Sequence, residues 1–198
     1  MNIGIFIYDK AEVLDFSGPF EVFSSASLIC STENPFNAFL VSETGEAVVA
    51  AGSYSVNPAY GFYNHPPIEV LLVAGGDHTD EVEKQAVINW IAEVGKKTTL
   101  TASVCTGAFL LAEARILNTQ KATTHWEDIP DLRSKYPDLT ICESTRWVDE
   151  GTVITSAGIS AGIDMSLHLV HKLYSFELAE ETAKYMEYDW SDRGKGLD

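Results

Sequence analysis

Short apolar runs alternate with amphipathic stretches along the chain, and within most runs the polar/apolar pattern does not itself alternate. Residues 3–8, 36–41, 69–73, 98–104 and 153–156 read as strands, because they are short, rich in Val, Ile, Leu and aromatic residues, and bounded by turn signals. A strand apolar on both faces belongs in a sheet covered on both sides. Residues 47–56 read as an antiparallel excursion around Gly52, and 121–124, 139–142 and 146–148 as shorter strands. Helices are predicted from Ser17, as a cap with Pro19 in the first turn, and over 80–94, 106–114, 129–136, 159–173 and 176–188. The polar residues 192–198 are expected to fray. Strands alternating with helices predict one α/β domain over 1–198, doubly wound around a mostly parallel sheet. In such sheets ligands bind beyond the carboxyl ends of the strands. Asp15, Gly75-Gly76, Cys105 and residues 156–158 all fall there.

Composition agrees with one folded domain: 198 residues with 45% hydrophobic content support a substantial core. The formal charge is −16, from 13 basic against 29 acidic side chains, and such a balance repels phosphate backbones. Nucleic acid is therefore not an expected partner. The first residues carry neither the basic start nor the small-residue cleavage site of a signal peptide, and no apolar run has bilayer length. A soluble cytoplasmic protein, with no membrane partner, is the expectation. Cys30, Cys105 and Cys142 are odd in number and widely spaced, a pattern that suits neither a disulfide framework nor a C-x-x-C site.

Chemistry concentrates in Ser103-Val104-Cys105-Thr106-Gly107. A strand runs into Cys105 and a helix starts at once, the layout of a nucleophile elbow built around Cys. Gly107 leaves room for close helix–sheet packing, and the helix start is expected to favour the thiolate. The plain alternative is that Cys105 packs as a small hydrophobe, the role assigned to Cys30 and Cys142. Charge pushed onto a substrate by the sulfur needs a donor, and Gly75-Gly76-Asp77 offers backbone N–H groups after a buried strand; otherwise it is an ordinary tight turn. Asp15, between Leu14 and Phe16, is either a helix-start cap or a site acid that shares protons with Cys105.

Five segments together resemble the ThiJ/PfpI superfamily: Leu14-Asp15-Phe16-Ser17-Gly18-Pro19, Ala74-Gly75-Gly76, Ser103-Val104-Cys105-Thr106-Gly107, Ala122-Thr123-Thr124-His125-Trp126 and Gly158-Ile159-Ser160-Ala161-Gly162-Ile163-Asp164. The resemblance implies the flavodoxin-like fold of class I glutamine amidotransferase domains, and a homodimer. The isonitrile hydratase subgroup is the nearest in pattern. It implies Cys105 as nucleophile, Asp15 as acid/base and Thr106 as support beside the sulfur. The implied reaction adds water to an isonitrile through a thioimidate, giving an N-substituted formamide. Asp77 and His78 stand where the subgroup carries a small residue and Gly, which predicts a bulkier, more polar pocket wall. Sensor domains of AraC-type regulators share the motifs, and the superfamily also holds glyoxalase-like and protease members. His125 matches a position near the nucleophile in some members, where it would orient Cys105. Alternatively Trp126 holds it as a structural His.

Other motifs have plainer roles. Gly158-Ile159-Ser160-Ala161-Gly162 matches G-x-S-x-G, but His168 and His171 both lie in the following helix, so no triad assembles. Gly158 is read as a close-packing turn beside Cys105. Asp164, His168 and His171 share a helix face at metal-like spacing without a second ligand cluster, so a metal is not expected. Neither G-x-G-x-x-G nor G-x-x-x-x-G-K occurs, so no nucleotide, flavin or other cofactor is implied. Trp90, Trp126, Trp147 and Trp190 read as core or interface anchors, and Tyr185, Tyr188 and Trp190 as pocket or dimer-contact residues.

Overall fold

The computed structural model describes residues 1–31 and 33–190; the fraying expected at 192–198 lies outside them. Strand β1 (Asn2–Phe6) leads into helix α1 (Val13–Ile29), then β2 (Asn37–Val41). An antiparallel hairpin follows, β3 (Val48–Ala50) and β4 (Tyr54–Val56), turning through Gly52 at φ 67°. Next come β5 (Val70–Val73), α2 (Gln85–Gly95), β6 (Leu100–Val104) and α3 (Gly107–Glu113). The rest is β7 (Lys121–Ala122), α4 (Ile129–Lys135), β8 (Thr140–Ile141), β9 (Trp147–Asp149), β10 (Val153–Ser156), α5 (Ala161–Leu173) and α6 (Phe176–Tyr185).

The main sheet has the order β2-β1-β5-β6-β10-β9. Its pairings are parallel except at the edge, where β9 runs antiparallel to β10. Every residue of β5, β6 and β10 is buried, as continuous apolar strands between two helical layers require. Helices α1, α5 and α6 pack on one another, while α2 and α3 form a second pair on the other side. The fold is therefore the flavodoxin-like α/β architecture expected from the alternation.

Register matters for the site. Phe6 pairs with Val73, and Val73 with Ser103, while Ser156 pairs with Val104. The four adjacent strands β1, β5, β6 and β10 thus end nearly level, and their connecting segments emerge side by side.

Three predicted helix bounds shift by three or more residues. Helix α1 begins at Val13, so Ser17 is no cap; its hydroxyl donates to the Val13 carbonyl at 2.7 Å, and Pro19 lies inside the helix. The early start follows from the chain before it. Ala11 forms a bridge with Gly76, and the Glu12 N–H donates to the Gly75 carbonyl at 2.8 Å, so the loop is already closed at residue 12. Helix α2 begins at Gln85, because residues 80–83 form a turn tied by Lys10–Asp80 and Lys84–Glu81 ion pairs and Lys84 is extended. Helix α6 ends at Tyr185, since Glu187 takes φ 51° and the Tyr188 N–H returns to the Ala183 carbonyl at 2.9 Å.

Candidate active site

Each of the four adjacent strand ends delivers one part of a single cluster. Cys105 follows β6 and sits at φ 55°, in the left-handed region that a residue with a Cβ enters at a cost of about 1–2 kcal/mol. The surroundings hold it there. Its N–H is shared between the Ser156 and Ala157 carbonyls at 3.2 and 3.3 Å, and its own carbonyl accepts the Thr124 hydroxyl at 2.8 Å. Gly107 lets α3 start directly over the sheet; a Cβ there would overlap the Val73 carbonyl. The strained elbow read from the sequence is thus a feature of the backbone, and it presents the sulfur to the crevice with only 6% exposure of the residue.

Asp15 reaches the same place from α1. It is fully buried, in the first helical turn, and its Oδ2 accepts the Gly75 N–H at 3.0 Å. Its Oδ1 is buried with no partner in good hydrogen-bond geometry. Burial pushes the carboxyl up to about 7, and the Gly75 N–H, the Cys105 side chain and the Ile159 N–H offset only part of that. The helix start was expected to lower the thiol; the structure reverses this. Burial, with the Asp15 charge beside it, pushes Cys105 up to about 12 against the Thr106 and Ile159 N–H groups. Helix α3 has only seven residues, too short a dipole to outweigh desolvation. The two side chains form one coupled acid pair, sharing protons as a unit.

Gly75 makes the pair possible. A Cβ on it would stand 2.8 Å from both Asp15 Oδ2 and Cys105 Cβ, and 2.6 Å from the Thr106 nitrogen. Gly76, at φ 132°, is locked to Thr106: its N–H donates to the Thr106 hydroxyl at 2.9 Å, which donates back to the Gly76 carbonyl at 2.8 Å. The expected donor segment is therefore already engaged. The Gly75 N–H serves Asp15, the Gly76 N–H serves Thr106, and the Asp77 N–H serves the Lys10 carbonyl. The Asp77 carboxylate bonds Thr79 and Lys10, which hold it down at about 2. The backbone N–H groups that act to lower the Cys105 thiol are those of Thr106 and Ile159.

Ile159 is the residue that sequence reasoning passes over. It takes φ 54°, rare for a β-branched side chain, and is 40% exposed. It lies within a resembling segment and the G-x-S-x-G match but has no role assigned from sequence, since Ile has no propensity for that region. Thr124, which braces the Cys105 carbonyl, lies within one of the five resembling segments but has no role assigned from sequence. His125 packs its ring on Gly158, where a Cβ would overlap it. Its Nδ1 accepts the Glu127 N–H at 3.4 Å and lies 3.5 Å from Asp128 Oδ2. Trp126 meets it only from the outside: the indole is 73% exposed, its ring tilted against the His125 ring at 5.8 Å. The His78 ring lies tilted by 31° against Phe109 at 4.3 Å, and both line an open groove of about 690 Å³ with Asp128 and Asp131.

The remaining candidates resolve into packing. Asp164 bonds Arg146 and Tyr188, and His168 bonds Asp149 at 2.7 Å while stacking on Trp147, so this helix face is occupied by local partners. Tyr188 thus anchors α5 rather than lining the pair, and Trp147 and Trp190 are core residues.

Comparison with known proteins agrees with this architecture. Over 190 residues the chain is 27% identical to isonitrile hydratase from Pseudomonas putida, covering 95% of this chain and 78% of that protein. Over 145 residues it is 29% identical to the HTH-type transcriptional regulator CdhR from Pseudomonas aeruginosa, covering 73% of this chain but only 43% of the regulator. The crystal structure of a ThiJ/PfpI family protein from Pseudomonas syringae superposes with a TM-score of 0.84 at 27% identity, over 95% of this chain and 75% of that one. The DJ-1/PfpI family model matches residues 1–172, and the chain belongs to that family.

Proposed function

We propose that the protein is a cofactor-independent, cysteine-dependent hydro-lyase that adds water to an isonitrile. The observation that carries the reading is the buried Asp15–Cys105 pair, in which one carboxyl oxygen is fixed by Gly75, the other is buried without a good partner, and the thiol acts on the carboxyl. Asp15 takes the thiol proton as Sγ forms a bond to the terminal isonitrile carbon, and returns that proton to the same carbon. The product is a neutral thioimidate on Cys105. Water adds across its C=N bond, oxygen to carbon and proton to nitrogen, with Asp15 as base and then acid. Collapse of the tetrahedral adduct breaks the C–S bond, and the hydroxyl proton returns through Asp15 to sulfur. The N-substituted formamide leaves and the thiol is restored. The N–H groups of Thr106 and Ile159 favour the sulfur's charged form in each direction. His125 braces Gly158 beside the pair.

The test is hydration of an alkyl isonitrile, followed as loss of the isocyanide infrared band. Wild type turns over many times, whereas Cys105→Ala loses activity by at least about 10³-fold. Absence of turnover in clean wild type overturns the reading. Similarity to the regulator CdhR supports a second one, in which Cys105 senses an electrophile or oxidant; it predicts one modification per chain and no turnover. The reading also includes a cytoplasmic location and a homodimer. No helix among the described residues is long and apolar enough to cross a membrane.

A further inference from the structure

Arg146 lies on the far side of the turn that carries Ile159. Its carbonyl accepts the Ala157 N–H at 2.9 Å, and its Nη1 and Nη2 each stand 3.4 Å from Ser160 Oγ. Its Nε donates to Asp164 Oδ2 at 2.7 Å, and Nη2 meets the same oxygen. Asp164 has a side chain only 6% exposed, sits in the first turn of α5, and also accepts the Tyr188 hydroxyl at 3.1 Å. Behind it, Gly162 packs on Val104; a Cβ there would come within 2.9 Å of that side chain. The opposite flank of the turn is bonded to the elbow, through the Cys105 N–H.

Ile159 is strained and 40% exposed, so burial of its side chain does little to offset the strain. A conformation of this kind persists only where neighbours over-determine it. Arg146 grips residue 157 before it and residue 160 after it. We propose that Arg146 is a positioning residue, whose fork to Asp164 and Ser160 holds the Ala157–Ser160 turn so that the Ile159 N–H stays turned toward Cys105 and Asp15. The inference rests on the reading of those two side chains as the reactive pair.

The test needs no substrate. The rate of Cys105 alkylation by iodoacetamide is measured against pH by peptide mass spectrometry in wild type, Arg146→Ala, Arg146→Lys and Tyr188→Phe, with thermal unfolding alongside. The other charged or titratable groups acting on the sulfur are Asp15 from α1, Asp128 ahead of α4 and Tyr8 after β1, and none is altered. Losing a donor to the charged form moves the profile of both Arg146 variants to higher pH. Alkylation at pH 8 then slows by about tenfold for every pH unit the profile moves. Arg146→Lys keeps the charge and loses the fork, so a displaced profile there reports position, and it carries the test alone if Arg146→Ala does not fold. Tyr188→Phe leaves the fork intact and the profile in place. Folded Arg146 variants with the wild-type profile overturn the proposal. Isonitrile turnover is scored separately, so a displaced profile without turnover sinks only the lyase reading, and turnover with an unmoved profile sinks only this one.

Discussion

At the residue scale the chemistry is that of a coupled pair. With Asp15 pushed up to about 7 and Cys105 to about 12, the pair holds two protons below neutrality and one above it. Under the proposed lyase mechanism the one-proton form is the competent one, because there the carboxylate takes the thiol proton. Turnover efficiency, kcat/KM, is expected to rise about tenfold per pH unit below 7 and to level off above it. A flat profile from pH 5 to 8, with turnover intact, contradicts this. The same burial has a cost in stability. Unfolded Asp15 releases its proton near 3.8 and the folded chain keeps it to about 7, so the folded state binds the extra proton. That contribution is fully present below pH 3.8 and lost as pH rises through 7, a swing of about 4 kcal/mol. Asp15→Asn keeps an oxygen for the Gly75 N–H and removes the titration. It should match wild type in thermal unfolding near pH 4 and exceed it clearly at pH 8. Equal midpoints at both pH values count against a buried, titrating Asp15.

At the element scale the site depends on backbones approaching without side chains between them. Gly75 separates the end of β5 from the elbow, with no room for a Cβ. Gly75→Ala is expected to cost about 1–3 kcal/mol of stability and about 100-fold or more in turnover, by moving Asp15 from Cys105. Near-normal turnover by that variant, measured by the infrared assay, removes Gly75 from the account. Strand–helix alternation places these elements well, since continuous apolar runs and amphipathic spacing are local signals. The cap of helix α1 is Glu12, five residues before the expected Ser17, because the helix start is set by the Ala11–Gly76 bridge, a contact 65 positions apart in sequence. A cap motif at Ser17 carries no knowledge of that contact.

At the scale of the whole molecule, four level strand ends gather groups from residue 15 to residue 159 into one crevice, at the carboxyl edge where such sheets bind ligands. The hairpin of β3 and β4 stands at the surface, with Val49 53% and Tyr54 57% exposed, and the proposed homodimer is tested on the whole molecule. Sedimentation at micromolar concentration is expected to give twice the 21.7 kDa chain mass, and a 21.7 kDa species at all concentrations contradicts a dimer.

The sequence alone determined the strands and helices that build the sheet and marked Cys105 as an elbow residue, because apolar runs, amphipathic spacing and the strand-to-helix junction are written in neighbouring residues; Asp15 it left as either a cap or a site acid, and only the family resemblance paired it with Cys105. It did not determine protonation. Desolvation depends on how much protein surrounds a group, and helix-start reasoning at Cys105 gave the opposite sign. Nor could it show that the Gly75, Gly76 and Asp77 amides are engaged, or that Ile159 takes a left-handed conformation on the turn beside Arg146. Those facts belong to hydrogen bonds between distant segments, and only the tertiary structure fixes which donor meets which acceptor.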